Sequence, residues 1–413
     1  MSQNEYRCFC AHGLREAQFT GVDGQTPPGI TLPPGATYAA LERCCEIPVG
    51  KASVSAEVNS DAPETLRNRV GVTLTQYRAD GGAICEDYLD TGIQNGRLSF
   101  QGAYDLEPGA VKLRLHLYAK WFEGRVNFTS PQLEFGAPLP ERKARILSTR
   151  LTYQEGETKA MRRQRIRSIL ERIGEQEPRR DLILFTEDAF TMGLANLTKE
   201  ECSEPIPGPG TELLSEMASK LNCNIACGVE EDEHGVFRNS CVLINRKGTI
   251  AGIYHKVHLT INESRNGVVP GSDFPVFDLD FAKVGVSICW DNWFGESARA
   301  LRLNGAELLL VPIAGDGIPT HRQHVWPARA VEHGMAAAFS PFSVSEDGIG
   351  PAQIFDQMGN LLAEAHPGTL YAAADVVFSK RYRTRYLSVG NAYGEGRSLY
   401  VAERRPGCYA TLQ

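Results

Sequence analysis

Three residues in the middle of the chain, Glu187, Lys256 and Cys289, together supply a base, a cation and a nucleophile. A cysteine thiol attacks the carbon of a carbonyl or a nitrile once a base takes its proton. Glu187 follows the apolar run 182–185, and an apolar wall raises the pKa of a carboxyl toward that of a useful base. Lys256 would stabilise the negative charge that develops on the attacked group.

Each of these residues, taken singly, also has a plain structural interpretation. A free cysteine is most often a small buried hydrophobe, and a lone glutamate or lysine is most often a solvated surface group. The positions of the three residues weaken these structural interpretations. Each of them, Glu187, Lys256 and Cys289, lies at or near the end of a strand-like segment. Ligands bind at the carboxyl ends of strands in open α/β sheets, so we expect the three side chains to meet there.

The stretch around Cys289 has the pattern of a strand, a turn and a helix. Residues 284–288 are apolar and typical of a strand, and helical spacing of apolar residues begins a few positions after Cys289. A cysteine at such a turn lies near a helix N-terminus, where the peptide dipoles favour the thiolate. Gly305 ends the helix before the next buried strand, 308–311.

The elements that carry these residues alternate between strands and helices from Ala144 onward. The pattern predicts a strand over 146–153, a helix over 158–174 and a strand over 182–186, and similar units follow. Such alternation predicts an α/β domain with helices packed on sheets. The Pro- and Gly-rich loop 191–210 is expected to form part of the pocket rim.

Residues 1–138 have a different pattern, with short runs of alternating polar and apolar residues separated by Gly, Pro, Asn and Asp turns. This pattern predicts an all-β, jelly-roll-like sandwich. Tyr104, Tyr118 and Trp121 would either line a sugar-binding platform or pack in the core. We therefore predict a β-sandwich domain over 1–138, a catalytic domain over 143–378 and an arginine-rich arm over 379–413 that lies on a neighbour.

Composition excludes several classes of protein. The 413 residues carry a formal charge of −7 and no long basic run, which argues against a nucleic-acid partner. No apolar stretch is long enough for a membrane span, and the first residues lack the pattern of a signal peptide. Eleven scattered cysteines do not form a disulfide framework, and their spacing does not favour a metal site. We expect a cytoplasmic protein.

Residues 143–378 resemble the nitrilase (carbon–nitrogen hydrolase) superfamily. The resemblance is carried by Leu-Ile-Leu-Phe-Thr-Glu at 182–187, Tyr-His-Lys-Val-His-Leu at 254–259 and Gly-Val-Ser-Ile-Cys-Trp-Asp at 285–291, in that order. The family's catalytic elements are a glutamate, a lysine and a cysteine in the same chain order. The motif from Cys289 to Phe294 is most similar to that of N-carbamoyl-amine amidases.

The resemblance implies roles for particular residues. Glu187 is the base, Cys289 the nucleophile, and Lys256 with the backbone N–H of Trp290 holds the oxyanion. A second family glutamate that helps to position the substrate is expected at Glu263, because Pro-Gly at 270–271 resembles the end of its loop. Trp290, with its neighbours Asp291 and Asn292, is expected to contact the substrate.

The resemblance also implies an αββα four-layer sandwich that dimerises, or forms a higher homo-oligomer, through a helical face. No metal or organic cofactor is implied, and the expected partner is a small-molecule amide or carbamoyl substrate. Two departures stand out, because Thr186 and Gly295 occupy positions where the family commonly has proline. Neither departure removes a reactive atom.

The sequence leaves three functions open besides amide or carbamoyl-amine hydrolysis. The chain could be a nitrilase, or an amidase that passes the acyl group to an acceptor other than water. From a different class, it could be a binding or scaffold protein that acts through the β-sandwich. The complete set of Glu187, Lys256 and Cys289 argues against an idle catalytic domain.

Overall fold

The computed structural model describes residues 5–10, 17–35, 37–129, 131–315, 319–343, 350–365, 368–389 and 392–409. The chain divides into two compact units. One unit contains the residues up to Pro140 together with those from Arg381 onward, and the other is Glu141–Lys380.

The N-terminal part of the first unit is built of strands. They are β1 Arg7–Cys10, β2 Gln18–Thr20, β3 Gly29–Leu32, β4 Tyr38–Glu46, β5 Ser53–Pro63, β6 Val70–Tyr77, β7 Ala83–Tyr88, β8 Asp90–Gln94, β9 Arg97–Asp105, β10 Lys112–Lys120, β11 Gly124–Asn127 and β12 Gln132–Gly136. They pair in the orders β1-β4-β10-β6-β7, β12-β5-β9-β8 and β11-β3-β2.

Alternation along these strands builds one apolar core between sheets. Leu113, Leu115 and Leu117 of β10 are buried in the same cluster as Val54 and Val58 of β5, which belongs to a different sheet. Successive side chains of a strand point to opposite faces, so every second residue reaches the core. The predicted all-β character of this region therefore agrees with the structure.

The aromatic residues considered for a sugar-binding platform are mostly internal. Tyr104 and Tyr118 are 3% and 4% exposed, and the Tyr104 hydroxyl donates a hydrogen bond to the Tyr88 carbonyl at 2.8 Å. Trp121 is 40% exposed. Tyr104 and Tyr118 therefore pack in the interior, which leaves only Trp121 of the three for a platform.

The second unit alternates strands and helices. They are β13 Lys143–Thr149, β14 Leu151–Thr152, α1 Lys159–Gln176, β15 Leu182–Leu184, α2 Lys199–Cys202, α3 Pro209–Leu221, β16 Asn224–Glu233, β17 Val236–Ile244, β18 Ile250–His255, α4 Ile261–Arg265, β19 Val276–Asp278, β20 Lys283–Val286, α5 Gly295–Leu303, β21 Leu308–Ile313, α6 Trp326–Val331, β22 Ala336–Ser343, β23 Gln353–Phe355, β24 Leu361–Glu364 and β25 Tyr371–Val377.

Two sheets organise this unit, with strand orders β18-β17-β16-β15-β13-β25 and β19-β20-β21-β22-β23-β24. One apolar cluster joins residues of both sheets, such as Leu184 of β15 and Val286 of β20. A second cluster joins the first sheet to α1 and α3, and a third joins the second sheet to α5 and α6. Helices therefore pack against each sheet, and the two sheets share an apolar cluster.

Parallel pairing places the ends of the functional strands together. Strands β13, β15 and β16 are parallel in the first sheet, and β20, β21 and β22 are parallel in the second. Glu187 lies three residues beyond β15 and Cys289 three residues beyond β20. Both residues therefore lie at the carboxyl ends of parallel strands, where ligands bind in such folds.

The C-terminal segment differs from the arm predicted for 379–413. It forms β26 Arg383–Val389, β27 Ala392–Glu395 and α7 Gly396–Ala402, and β27 pairs with β7 of the same chain. The buried Asp87 carboxylate accepts hydrogen bonds from both Nη atoms of Arg383, one of them at 2.8 Å. The segment therefore packs on its own chain, because its arginines find carboxylates there.

Candidate active site

Cys289 begins a 3₁₀ turn, Cys289–Trp293, that links β20 to α5. Its backbone φ is +43°, in the left-handed region that residues other than glycine rarely adopt. Asp188, immediately after the expected base, has the same φ of +43°. Such strain persists only where the surroundings enforce it, and it concentrates at functional sites.

The Glu187 carboxylate is 3% exposed and fully engaged by donors. Its Oε1 accepts from Lys256 Nζ and from Asn239 Nδ2, each at 2.8 Å, and its Oε2 accepts from the Ala314 N–H at 2.7 Å. A Cβ on Gly228 of β16 would lie 2.5 Å from the Glu187 Cα, so glycine is needed there. These contacts fix the orientation of the carboxylate.

Lys256 is 2% exposed and connects the two candidate glutamates. Besides Glu187, its Nζ donates to Glu263 Oε1 at 2.9 Å and Oε2 at 3.0 Å. Burial lowers the pKa of Lys256, but the charges of Glu187, Cys289 and Glu263 raise it by more. Lys256 therefore stays cationic, as a group that stabilises an oxyanion must.

Glu263 lies in α4, where it also forms a capping box. Its Oε2 accepts from the Thr260 N–H at 2.7 Å, while the Thr260 hydroxyl accepts from the Glu263 N–H at 3.3 Å. Burial raises the pKa of the Glu263 carboxyl, but Lys256 and hydrogen bonds from Thr260 and Asn239 lower it by more. Glu263 is therefore held as a carboxylate against Lys256.

Asn239 of β17 belongs to the cluster and was missed by the sequence analysis. Its Nδ2 donates to Glu187 Oε1 at 2.8 Å and to Glu263 Oε1 at 2.7 Å. The backbone carbonyl oxygen of Asn239 accepts a hydrogen bond from the backbone N–H of Lys256 at 2.9 Å. The available signal was the position of Asn239. It is a polar residue next to the apolar end of β17, and β17 pairs with β18, the strand that leads to Lys256.

Cys289 lies close enough to Glu187 and Lys256 for both of their charges to act on its thiol. Burial and the charge of Glu187 raise the pKa of the Cys289 thiol well above its ordinary value, and Lys256 offsets only part of this. This differs from the thiolate expected at a helix N-terminus, because a 3₁₀ turn and a carboxylate lie there instead. The resting thiol is protonated and needs a base.

The three residues after Cys289 have different environments. Trp290 is 38% exposed and forms an aromatic contact with Trp293, with ring centroids 5.6 Å apart. Asn292 is buried, and its backbone carbonyl oxygen accepts a hydrogen bond from Arg329 Nε at 2.8 Å. Asp291 is 0% exposed and its carboxylate is occupied by internal donors. Because internal donors occupy its carboxylate, Asp291 is not expected to contact the substrate.

The two positions that depart from the family's prolines have local explanations. Thr186 is buried, and its hydroxyl donates to the Ile313 carbonyl at 2.6 Å, which ties the end of β15 to the end of β21. Gly295 is the first residue of α5. Both substitutions therefore leave the neighbouring elements intact.

A cavity of about 400 Å³ adjoins the cluster. Its lining includes Glu263 and Asn239, together with Leu197, Lys199 and Glu230. Lys199 Nζ donates to Glu230 Oε1 at 2.6 Å, so the lysine charge is already paired. Leu197 and Lys199 belong to the loop that was expected to form a pocket rim.

Among the residues that the structure describes, no group of histidine, cysteine and acidic side chains has the arrangement of a metal site. Within the same residues, no helix is both long and apolar enough to cross a membrane. All eleven cysteines lie in the described ranges and are free.

Comparison with known proteins places this geometry in context. A sequence model of the carbon-nitrogen hydrolase family matches residues 154–386, more than half of the chain. A probable nitrilase of Schizosaccharomyces pombe is 39% identical over 153 residues, which cover 36% of this chain and 56% of that protein. The N-carbamoylputrescine amidase of Solanum lycopersicum is 35% identical over 38% of this chain and 55% of its own length. The matches thus span little more than half of these relatives.

Solved structures show the same fold. An amidase from Nesterenkonia sp. superposes with a TM-score of 0.53 over 65% of this chain and 96% of its own, at 21% sequence identity. A carbon-nitrogen hydrolase from Helicobacter pylori gives a TM-score of 0.51 over 57% of this chain. At this level of identity the likeness concerns the fold.

Proposed function

The chain belongs to the carbon–nitrogen hydrolase family, and we propose that it is a cysteine hydrolase that cleaves a non-peptide C–N bond in a linear amide or an N-carbamoyl amine. The observation that carries this proposal is that Cys289 lies within reach of the charges of Glu187 and Lys256, while Lys256 donates to the Glu187 carboxylate at 2.8 Å. A nucleophile beside a base that further groups orient is the signature of covalent catalysis.

The first proposed stage forms a thioester-type intermediate. The Cys289 sulfur attacks the substrate carbonyl carbon while its proton passes to Glu187, which leaves an oxyanion on the tetrahedral intermediate. Lys256 and the Trp290 N–H stabilise that oxyanion. When the C–N bond breaks, Glu187 returns the proton to the leaving nitrogen, and ammonia or an amine departs.

The second proposed stage uses water. Glu187 takes a proton from a water molecule, whose oxygen attacks the acyl or carbamoyl carbon. The C–S bond then breaks, and the sulfur recovers the proton from Glu187. The products are a carboxylic acid, or a carbamic acid that decomposes to carbon dioxide and an amine or ammonia. These steps use only side chains, one backbone N–H and water.

Glu263 and Asn239 are proposed to hold the reacting groups in place. Glu263 contacts Lys256 with both oxygens, and Asn239 bridges Glu263 to Glu187. The shared contacts keep the lysine and the base at a fixed separation. Such fixed donors act without reorganisation during the reaction, which is the main source of electrostatic catalysis.

The cavity beside Glu263 supports a preference in the substrate tail. Three acidic residues, Asp188, Glu230 and Glu263, line it together with one lysine, Lys199, which is paired with Glu230. A carboxylate tail would meet like charges there, whereas an uncharged or cationic tail would not. The amidase relative named for N-carbamoylputrescine is consistent with a cationic tail.

The finer architecture and assembly are also proposals. We propose an αββα sandwich for Glu141–Lys380 and a jelly-roll-like sandwich for the first unit, in line with the shared apolar clusters. The family resemblance supports a homodimer or higher homo-oligomer, and the eleven free cysteines favour a cytoplasmic setting. Light scattering at several protein concentrations tests the assembly, and a monomer at all of them would contradict it.

Ammonia release from a panel of N-carbamoyl amines, primary amides and nitriles tests the function, with Cys289→Ala as the blank. Release from carbamoyl amines or amides that is absent in the variant is the expected result. Release from nitriles alone would indicate a nitrilase instead. Silence across the panel, or equal release by the variant, would overturn the proposal and turn attention to acyl transfer or to the first unit as a binding module.

A further inference from the structure

We propose that Asp291 is a positioning residue that sets the distance between Lys256 and Cys289. The inference rests on the roles proposed above for those two residues. It replaces the expectation that Asp291 contacts the substrate. Three observations carry it: the saturation of the Asp291 carboxylate, the identity of its donors and the strain at Cys289.

The Asp291 carboxylate has no capacity left for a ligand. Its Oδ1 accepts from the His258 N–H at 2.7 Å and contacts His258 Nδ1 at 2.9 Å. Its Oδ2 accepts from the Tyr254 hydroxyl at 2.7 Å and from the Ile288 N–H at 3.0 Å. A carboxylate offers about four lone-pair sites, and all four are used here in a side chain that is 0% exposed.

The donors come from both sides of the reaction centre. Tyr254 and His258 flank Lys256 at two residues on either side, and Ile288 directly precedes Cys289. One carboxylate therefore ties the segment that carries the lysine to the segment that carries the nucleophile. Burial, followed by the charge of Asp291, raises the pKa of the Tyr254 hydroxyl, so the hydroxyl remains a donor.

The same residue closes a ring of hydrogen bonds around the strained cysteine. The Asp291 N–H donates to the Ile288 carbonyl at 2.9 Å, while Oδ2 accepts from the Ile288 N–H. Cys289 lies inside this reciprocal pair with its φ of +43°. Strained conformations last only while neighbours over-determine them, so loss of the Asp291 contacts would allow the cysteine to relax.

The test compares Asp291→Asn with Asp356→Asn. Asp356 is a matched control, because it is buried and accepts from the Met358 and Asn360 N–H groups at 2.9 and 3.0 Å in a hairpin turn. In Asp291→Asn we expect kcat to fall by about 100-fold with KM within about threefold, since small displacements of reacting groups cost that much. In Asp356→Asn both constants should stay within about threefold of wild type.

A second readout needs no substrate. The rate at which iodoacetamide alkylates Cys289 should fall by about tenfold or more in Asp291→Asn. Mass spectrometry of the Cys289 peptide measures this rate, because Cys8 and Cys408 are exposed and would contribute to a bulk thiol assay. It should be unchanged in Asp356→Asn. A wild type that hydrolyses nothing would refute the proposed function, yet the alkylation rates would still test the role of Asp291.

Two results would overturn the inference. One is an alkylation rate in Asp291→Asn within about threefold of wild type. The other is an equal loss in both variants when they are compared at the same fraction folded. If Asp291→Asn does not fold, Tyr254→Phe decides, because it removes one donor: alkylation slowed about threefold to tenfold supports the inference, and an unchanged rate overturns it.

Discussion

The two units of this protein each contain a dense buried ion cluster, and the clusters differ in what they leave free. In the first unit, the guanidinium of Arg383 engages both oxygens of Asp87, and its Nε donates to Glu107 at 3.3 Å. In the second, Lys256 is shared between Glu187 and Glu263, and a thiol lies against the same base. The charges of Asp87 and Arg383 also act on a thiol, that of Cys85, but Cys85 is buried whereas Cys289 is partly exposed. The second cluster is therefore the one whose thiol a substrate can reach.

The difference follows from the chemistry of the two cations. Burial lowers the pKa of Arg383, but Asp87 raises it by more, and a guanidinium stays charged in any case. Its planar fork saturates one carboxylate and locks one geometry. An ammonium is a point charge that several acceptors can share, so Lys256 serves two glutamates and still faces the reaction centre. A buried charge pair alone therefore does not identify a catalytic site.

The sharpest contrast comes from Glu187→Gln and Asp87→Asn, which make the same chemical change in the two clusters. Glu187→Gln removes the base, and we expect kcat to fall by about 1,000-fold or more. Asp87→Asn should leave the kcat of the folded protein within about twofold. Steady-state kinetics on protein of known folded fraction measures both, and comparable kcat losses would break the contrast.

Stability should change in the opposite order. Asp87→Asn leaves the largely buried Arg383 with only the longer contact to Glu107 at 3.3 Å, so we expect the free energy of unfolding to fall by about 3 kcal/mol. Urea denaturation followed by circular dichroism measures the loss. A loss below about 0.5 kcal/mol would show that this ion pair is not a structural element.

Glu263→Gln tests whether the second glutamate belongs to the reacting cluster. It replaces a carboxylate that holds Lys256 with a neutral amide, and we expect kcat to fall by about tenfold to 100-fold. Glu231→Gln is the control, because Glu231 is also buried but its carboxylate contacts the Ser240 hydroxyl at 2.6 Å and His255 Nε2 at 3.0 Å instead of Lys256. Its kcat should stay within about threefold. Equal losses in both variants would assign Glu263 a purely structural role.

The lowered pKa of Glu263 gives a pH-dependent stability. Its carboxyl titrates at about 4.3 in the unfolded chain and lower in the folded protein. The stabilisation is therefore present above about pH 4.3 and is lost as the pH falls through the folded value. The difference in unfolding free energy between wild type and Glu263→Gln should shrink from pH 7 to about pH 3.5. A difference that is constant over this range would contradict the ion pair with Lys256.

The smallest expected effect concerns the substrate tail. Three N-substituted ureas of equal length, ending in an ammonium, a methyl or a carboxylate group, differ only in terminal charge. We expect kcat/KM for the carboxylate compound to be about threefold to tenfold below that of the methyl compound. The kcat/KM of the ammonium compound should equal or exceed that of the methyl compound. In Lys199→Gln the difference in kcat/KM between the methyl and the carboxylate compounds should become larger. The reverse order would show that the tail does not lie beside Glu230 and Glu263.

Much of this site could be predicted from the sequence because its chemistry lies at strand ends. The structure brings Lys256 into hydrogen-bond contact with Glu187 and places Cys289 near both, while the catalytic roles of the three residues stay proposals. Asn239 was missed because its partners lie in other elements of the fold, which only the tertiary structure brings together. Asp291 was misassigned because a carboxylate beside a nucleophile has the same sequence pattern whether it faces the substrate or the interior.

The C-terminal segment shows where sequence patterns fail for a physical reason. Its arginines and its lack of periodicity suggested an extended arm that lies on a neighbour. Their partners, such as Asp87, lie in a distant part of the chain, so pairing depends on tertiary structure. In contrast, the helix over 158–174 has local signals, including Thr158 as its N-cap, and the structure has it at Lys159–Gln176.

The measurement that tests the central claim most directly is mass spectrometry of protein quenched during turnover of an N-carbamoyl amine. The account predicts a carbamoyl or N-alkylcarbamoyl group on the Cys289 peptide, formed before steady state and absent in Cys289→Ala. It also predicts that Glu187→Gln accumulates little adduct, because its thiol keeps its proton. Turnover without any adduct at Cys289, or an adduct on another residue, would contradict the account.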